Sequence, residues 1–204
     1  MPARHSTLHR RLAAFTIECL LRPGLALYRG QLDHLEDDVL KISEVEPRHY
    51  REAMAHFAGA VQVVTTDGAS GRRGITVIAA CSVSDNPPMV LVCINHGNPA
   101  NEAFVANGVF ALNTLGEQSR ALAHGFSGLT GLDQDERFAL GQWDTIATGA
   151  PTLTDALAVF DCEVIEAKAM ATHHVIFGRV RGLRIGSGMR PLIYYNRGYG
   201  IDHA

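Results

Sequence analysis

The sequence has few cysteines and lacks a hydrophobic run long enough to cross a bilayer. Its 204 residues include four cysteines, at positions 19, 81, 93 and 162, and no two of them have the C-x-x-C spacing of metal or redox motifs. A chain of this length does not depend on disulfides, so we expect reduced thiols in a cytoplasmic protein. The apolar stretch LAAFTIECLL is interrupted by Glu18 and is far shorter than the roughly 20 residues of a membrane span.

A basic surplus and the common nucleotide-binding motifs are also missing. The 18 Lys and Arg residues are outnumbered by 21 Asp and Glu residues, for a formal net charge of -3, whereas a nucleic-acid-binding protein needs excess positive charge. No G-x-G-x-x-G, P-loop or G-x-S-x-G motif is present, so a nicotinamide would not be held in a Rossmann crevice. Ten histidines are present without an H-E-x-x-H motif or nearby grouped thiols, so we expect no metal site.

The first 45 residues differ from the rest of the chain. They combine an Arg- and His-rich start, an apolar run, a break at Arg22-Pro23-Gly24 and an acidic stretch that ends near Glu46. Three interpretations stay open: an amphipathic docking helix, a loosely ordered leader, or an upstream start codon that lengthens the chain. We therefore predict an N-terminal extension over residues 1–45 and a single domain over residues 46–204.

The domain has the pattern of a mainly β fold. Pro47 can begin a short amphipathic helix, and Asn98 can cap another that ends at Gly108. Seven segments have strand character: Ala60–Thr66, Ile75–Ser84, Met89–Asn95, FALNTL, ALAVFDCEVIEAKAMATH, HVIFGRVRGLRIG and LIYYN. Most follow one another through short turns, which favours antiparallel pairing. The sequence therefore predicts an antiparallel β-barrel with peripheral helices.

The stretch RRGITVIAACSVSDNPPMVLVCIN is the best candidate for a binding site. It places the hydroxyls of Thr76, Ser82 and Ser84 at strand ends, beside a turn that two prolines impose. Such strand ends can present hydroxyl and backbone N–H donors to a planar polar ligand. Alternatively, Ser82 and Ser84 only bond to their own turn.

This stretch and its surroundings resemble the short-chain flavin reductase family, the reductase components of two-component flavin monooxygenases. The similarity begins with HYREAMAHFAGAVQVVTT, continues through GITVIAACSVSDNPPMVLVCIN, and extends to FALNTL, ERFALGQWDT, TGAPTL, THHVIFGRV and PLIYYNRGY. These motifs occur in the family's order over about residues 48–200. The resemblance implies a split β-barrel that works as a homodimer, with each active site near the subunit interface.

The resemblance also implies an activity. Family members bind FMN or FAD, oxidise NADH or NADPH, and supply reduced flavin to a separate monooxygenase; the cofactors carry the chemistry while the protein orients them. Two alternatives stay open: a corrin reductase that delivers an electron to cobalt in cobalamin synthesis, and a non-catalytic flavin-binding or haem-binding module.

Several residues match family positions that contact the flavin or the nicotinamide. His173, five residues before the Gly of G-R-V, would bind the nicotinamide or orient its carboxamide as the catalytic residue; a structural histidine is the alternative. The flavin-binding set implied by the resemblance is Thr76, Val77, Ser82, Val83, Ser84, Cys93, Ile94, Asn95, Asn98, Phe126, Arg137 and Tyr199. In this set Arg137 is expected to contact a phosphate, and Tyr199 is expected to close the pocket or pack in an interface.

Overall fold

The computed structural model describes residues 45–188 and 190–200. The contacts divide the chain into two compact units, residues 1–50 and 51–204. Of the first unit, the described residues 45–50 include the start of helix α1 (Pro47–Ala55). There the Tyr50 N–H donates a hydrogen bond to the Glu46 carbonyl at 3.1 Å. The predicted extension falls almost entirely outside the described residues, so the boundary near Glu46 stays a prediction.

The second unit is mainly β, as the sequence predicted. Its strands are β1 (Gly59–Ala60), β2 (Gln62–Thr66), β3 (Arg73–Val77), β4 (Ala80–Asp85), β5 (Pro88–Asn95), β6 (Val109–Thr114), β7 (Trp143–Asp144), β8 (Thr152–Leu153), β9 (Ala158–Met170), β10 (His173–Ile185), β11 (Ile193–Tyr195) and β12 (Gly198–Tyr199). Its α-helices are α2 (Ala103–Ala106), α3 (Arg120–Phe126) and α4 (Gln134–Phe138), and short 3-10 helices at Pro99–Glu102 and Glu117–Ser119 lead into α2 and α3.

The main sheet has seven antiparallel strands in the order β3-β2-β6-β9-β10-β5-β4. β3 and β4 are the two edges of this sheet, yet only Ile78 and Ala79 separate them in the chain. The edges must therefore meet, and the Cys93 N–H donates to the Ala79 carbonyl at 2.9 Å beside the junction. This arrangement confirms the antiparallel barrel with peripheral helices.

One predicted strand, Ile75–Ser84, was wrong. The structure divides it into β3 and β4, because the chain bends at Ile78 and Ala79 to pass from one sheet edge to the other. Neither residue is a glycine or a proline, so the sequence carries no conventional signal for this bend.

β2 is buried along its whole length because both faces of this strand are covered. Val63 belongs to a core that packs against Phe126 and Phe138 of the helical layer. The next residue, Val64, belongs to a second core inside the barrel, with Phe110 and other residues. Alternation along a strand sends successive side chains to opposite faces, so a strand between two cores needs apolar residues on both. β2 therefore holds the barrel wall against the helices that border the site.

Within residues 45–188 and 190–200, no helix is long and apolar enough to cross a bilayer. In the same residues, no three His, Cys, Asp or Glu side chains form a group that could hold a metal ion.

Candidate active site

The junction between β3 and β4 positions the hydroxyl residues that the sequence singled out. The Thr76 hydroxyl, near the end of β3, donates to the Ala123 carbonyl of α3 at 2.7 Å and so joins the strand to the helix. On β4, Ser84 Oγ accepts from the Asn86 N–H at 3.2 Å. Ser84 therefore bonds to its own turn, whereas Ser82 makes no side-chain hydrogen bond within the described part of the chain.

Ser82 and Ser84 line a cavity of about 470 Å³, which we call the β4 cavity. Its wall also includes Gln62 and Thr114, from strands β2 and β6. Apolar surface with a few polar groups is typical of sites for planar ligands. Val83, which alternates with the two serines, does not line this cavity and is 44% exposed.

A second cavity, of about 650 Å³, contains Thr76, Val77 and Tyr199 of the predicted set. It lies between the end of β3, helix α3 and the β11–β12 hairpin, and we call it the basic cavity. Helix α3 contributes Arg120 and His124, which are four residues apart and therefore share one helix face. The walls of this cavity carry several positive or protonatable groups.

The β11–β12 hairpin contributes Arg197 to the basic cavity in an unusual backbone conformation. Asn196 and Arg197 are the two central residues of the turn, with φ of 47° and 63°, which corresponds to a type I′ hairpin turn. Asparagine tolerates this region, but a residue such as arginine pays about 1–2 kcal/mol for it. Tyr199 lies below the turn, with the Arg120 guanidinium 5.8 Å from its ring centroid. Burial raises the pKa of the Tyr199 phenol, so this group is neutral at physiological pH.

A pair of arginines lies at the other end of β3. Arg73 Nε donates to Asn101 Oδ1 at 3.0 Å, and Asn101 Nδ2 donates to the Asn95 carbonyl at 2.7 Å. Arg137 Nε donates to the Leu132 carbonyl at 2.8 Å. Burial and the charge of Arg137 lower the pKa of the Arg73 guanidinium. No carboxylate of the described residues forms an ion pair with either arginine, so this cluster, the Arg73 pair, is suited to bind an anion.

The predicted Asn95 and Asn98 are linked to the Arg73 pair through Asn101. Asn101 donates to the Asn95 carbonyl from its side chain and to the Asn98 carbonyl from its backbone N–H. Asn98 Oδ1 accepts from the Ala100 N–H at 3.0 Å and caps the 3-10 helix, as the sequence predicted. Because only the oxygen is engaged, the Asn98 side-chain NH2 group makes no hydrogen bond within residues 45–188 and 190–200. Asn95 Oδ1 accepts from the Gly97 N–H at 2.7 Å. The end of β5 and the loop that follows it thus hold two amide side chains near the start of β3.

His173 is the first residue of β10 and pairs in register with Asn95. Its Nδ1 lies 2.8 Å from the hydroxyl of Thr172. The following His174 instead contacts Glu102, with Nε2 2.9 Å from Oε1. His173 lines neither the β4 cavity nor the basic cavity, so a single chain does not bring it together with Thr76 and Tyr199.

Two side chains of the predicted flavin-binding set are almost fully buried. Ile94 is 1% exposed in the barrel core, and Phe126 is 1% exposed, with its ring against Phe138 and Trp143. Any contact of Ile94 with a ligand must therefore involve its backbone. Cys93 is half-buried on the outer face of β5, and burial, together with Cys81, raises the pKa of its thiol.

The sequence reasoning missed three arginines: Arg73, Arg120 and Arg197. Arg73 immediately precedes the G-x-T segment, and this position beside a predicted flavin-contacting motif could have identified it as a site residue. Arg120 and Arg197 are 77 positions apart, and only the packing of α3 beside the β11–β12 hairpin brings them to one cavity.

Comparisons with known proteins agree with this architecture. Residues 54–201 match the flavin reductase like domain. FMN reductase (NADH) RutF from Ancylobacter novellus is 45% identical over 168 residues, covering 82% of this chain and 92% of the relative. The native-state structure of the flavin reductase PheA2 superposes with a TM-score of 0.69 at 29% identity, covering 76% of this chain and 97% of that one. The styrene monooxygenase flavin reductase from Pseudomonas putida S12 gives a TM-score of 0.65 at 28% identity, covering 74% and 95%.

The fold and the site therefore define an oxidoreductase that acts on flavins. The chain belongs to the flavin reductase like family, as its sequence motifs implied.

Proposed function

We propose that this protein is an NADH-dependent FMN reductase that supplies reduced FMN to a separate monooxygenase. Its RutF relatives are named FMN reductases that use NADH. The observation that carries the proposal is the Arg73 pair, which supplies two guanidiniums without carboxylate partners at the start of the same strand that ends in Thr76 and Val77. FMN has an anionic phosphate at one end and a planar ring at the other. The start of β3 can therefore bind the phosphate while its end contacts the ring.

The residues present fit an FMN molecule. Arg73 and Arg137 would bind the phosphate, with the Asn98 amide nearby, because guanidinium–phosphate bonds are charge-assisted and can be bidentate. Thr76, Val77, Ser82 and Ser84 would contact the isoalloxazine and ribityl groups through hydroxyls and backbone amides. Bound FMN supplies the hydride acceptor, its N5 atom, for the reaction with NADH. The protein orients the two reactants and excludes water, which converts a bimolecular encounter into a positioned one.

Backbone donors near β4 and β5 would favour the reduced flavin. Reduced flavin is electron-rich at its pyrimidine edge, and fixed N–H groups stabilise negative charge that develops there. Cys93, Ile94 and Val83 belong to these strands, so we assign them backbone or shape contacts only. His173 would bind the nicotinamide carboxamide.

We also propose a homodimer whose active sites are completed by both protomers. The separation of His173 from the basic cavity supports this arrangement. Exposed apolar side chains on the barrel strands support it too: Val83, Ile165, Leu183 and Ile185 are between 44% and 80% exposed, and such surface commonly marks an interface. Sedimentation equilibrium of the full chain should give twice the chain mass. An Ile165→Glu/Ile185→Glu variant should be monomeric and inactive, whereas Arg190→Gln should stay dimeric.

The monooxygenase partner and a cytoplasmic location belong to the proposal as well. One of the structural relatives is the flavin reductase of a styrene monooxygenase, which supports a role as a reductase component.

Residues 46–204 should suffice for flavin reduction, since the family match begins at residue 54. A purified 46–204 chain that fails to fold would contradict this division.

Titration with flavins and reduced nicotinamides tests the proposal. The protein should turn yellow as it binds FMN and stay yellow after free flavin is removed, and NADH should be consumed steadily with excess free FMN in air. Parallel assays with NADPH in place of NADH, and with FAD in place of FMN, identify the preferred nicotinamide and flavin. Flavin binding without NADH turnover would favour the non-catalytic module instead. Anaerobic reduction of a cobalt(II) corrin faster than by free reduced FMN would favour the corrin reductase.

A further inference from the structure

The basic cavity contains a charge pattern that the flavin does not require. Two guanidiniums, from Arg120 and Arg197, reach its wall together with His124. None of the lining side chains is a carboxylate. Within the described residues neither Arg120 nor Arg197 forms an ion pair. Two uncompensated guanidiniums at one cavity create a positive potential that selects anions.

The conformation of Arg197 adds a second observation. It occupies a left-handed turn position, φ 63°, for which glycine is the favourable residue, and glycine is the next residue in the chain. Strained backbone conformations cluster at functional sites, and this one holds a charged side chain at the wall of a cavity.

The cavity also offers contacts for a ring and a route to the flavin position. Tyr194 and Tyr199 stack edge to face, with ring centroids 5.5 Å apart, and both line the cavity. Leu129, 81% exposed, lies at its wall as well. Thr76 and Val77 line the same cavity. A ligand in this cavity therefore combines negative charge with a planar group and approaches the strand end assigned to the isoalloxazine.

We propose that Arg120 and Arg197 bind the diphosphate of the nicotinamide dinucleotide. The inference rests on the proposed function and names the group of NADH that this cavity recognises. FMN carries one phosphate, for which the Arg73 pair is available, whereas the dinucleotide diphosphate carries two negative charges that match two guanidiniums. The same phosphate chemistry could come from FMN, so the test separates the two sources.

The first experiment measures both reactants on the full chain. In Arg120→Gln, Arg197→Gln and the double variant, KM for NADH should rise, by roughly tenfold or more in the double variant, since each lost charge-assisted bond weakens phosphate binding. The turnover at saturating NADH and the Kd for FMN should change less than about twofold, because neither arginine contacts reacting atoms. Arg120→Lys and Arg197→Lys should retain most of the affinity. Arg190→Gln, an exposed arginine paired with Glu117, is the matched control.

A shorter substrate removes the diphosphate instead of the arginines. Reduced nicotinamide mononucleotide lacks it, so the wild-type protein should prefer NADH over the mononucleotide and the double variant should lose that preference. Arg197→Gly should weaken NADH binding as much as Arg197→Gln does. It should also raise thermal stability, because glycine relieves the backbone strain at this turn position. This opposite movement of affinity and stability excludes simple misfolding as the cause.

Equilibrium binding of ADP-ribose keeps the test independent of turnover. Calorimetry should show that wild-type protein binds ADP-ribose, that added salt weakens the binding, and that the double variant loses it. Failure of wild-type protein to reduce FMN, with ADP-ribose binding intact, would overturn the proposed function and leave this site standing. Unchanged KM for NADH in the double variant, a rise in the Kd for FMN alone, or no ADP-ribose binding to wild-type protein would each overturn the inference.

Discussion

Gly74 and Phe126 pack so closely that no side chain fits between them. A Cβ atom at Gly74 would lie 2.8 Å from Phe126 Cδ1 and 3.3 Å from Phe138 Cζ. The glycine that precedes Thr76 in the G-x-T segment therefore has a physical explanation: it lets β3 rest directly on the aromatic ring of α3. Phe126 in turn supports the strand that carries Thr76, which explains its burial beneath the site.

Replacing Gly74 with alanine should disturb this contact. We expect Gly74→Ala to lower the free energy of unfolding by about 1–3 kcal/mol, since overpacking forces the ring or the strand to move. Urea unfolding followed by tryptophan fluorescence measures the change, because Trp143 contacts Phe126. Gly59→Ala is the control, since a Cβ there meets Ile78 at an ordinary 3.5 Å. Equal stability of the two variants would contradict the packing argument.

The Arg73 pair predicts a difference between phosphorylated and unphosphorylated flavin. Arg73→Gln and Arg137→Gln should each weaken FMN binding by about tenfold or more, as expected for a charge-assisted bond of about 1.5–3 kcal/mol. Riboflavin, which has no phosphate, should bind wild-type and variant proteins equally. Fluorescence quenching of both flavins provides the measurement, and Arg73→Lys tests whether charge alone suffices. An equal loss of riboflavin affinity would show that these arginines act on the ring instead.

His173 and His174 form a matched pair of neighbouring histidines. His173→Ala should lower kcat/KM for NADH by about tenfold or more if the ring binds the nicotinamide, with the Kd for FMN unchanged. His174→Ala, which removes the Glu102 contact, should leave kcat/KM within about twofold. A similar effect of both variants would favour a structural role for His173.

Mixed dimers test whether His173 and the basic cavity act across the interface. A His173→Ala protomer combined with an Arg120→Gln/Arg197→Gln protomer should recover kcat/KM for NADH if the two contributions come from different protomers, because one of the two sites is then intact. Mixtures whose kcat/KM for NADH stays as low as in the parent variants would place both contributions in one chain.

The buried thiol of Cys162 predicts a pH dependence of stability. Burial and the nearby Asp161 raise its pKa to about 12, from an ordinary value of 9.0. The folded protein therefore binds more protons than the unfolded chain between these values, so Cys162 contributes a loss of stability as pH rises from about 9 to about 12. Below pH 9 both states are protonated and the contribution is constant.

Denaturant unfolding at a series of pH values measures this effect. Cys162→Ala should lose less stability over the alkaline range than the wild-type protein, whatever its stability at pH 7. Cys93→Ala is the comparison, because that thiol is less buried. Parallel alkaline profiles for wild-type protein and Cys162→Ala would contradict the assignment.

The fold was largely predictable because burial leaves a direct pattern in these strands. β2 lies between two cores, and its unbroken run of valines and threonines indicated a buried strand. The bend at Ile78 and Ala79 was not predictable, because it is required by closure of the barrel and is not marked by a local turn residue. Helix α4 was missed although Asp133 and Glu136 form a capping box, with reciprocal bonds of 2.9 and 2.8 Å; the surrounding loop pattern obscured a five-residue helix.

The site was predictable only where one segment carries it. Thr76, Ser82 and Ser84 belong to one continuous motif, and Arg137 belongs to another that the family resemblance identified. Each proposed phosphate site needs two arginines, Arg73 with Arg137 and Arg120 with Arg197. The two members of each pair are distant in sequence. Their proximity is a product of tertiary packing, which composition and periodicity do not encode.

Anaerobic rapid mixing of the FMN-loaded protein with NADH tests the central claim most directly. Hydride transfer at this site predicts that the visible absorbance band of oxidised flavin disappears with one NADH consumed per FMN, faster than in free FMN solution, and that Arg73→Gln/Arg137→Gln slows the reaction at limiting FMN. Persistence of the oxidised band in the wild-type protein, or bleaching no faster than in free FMN, would contradict it.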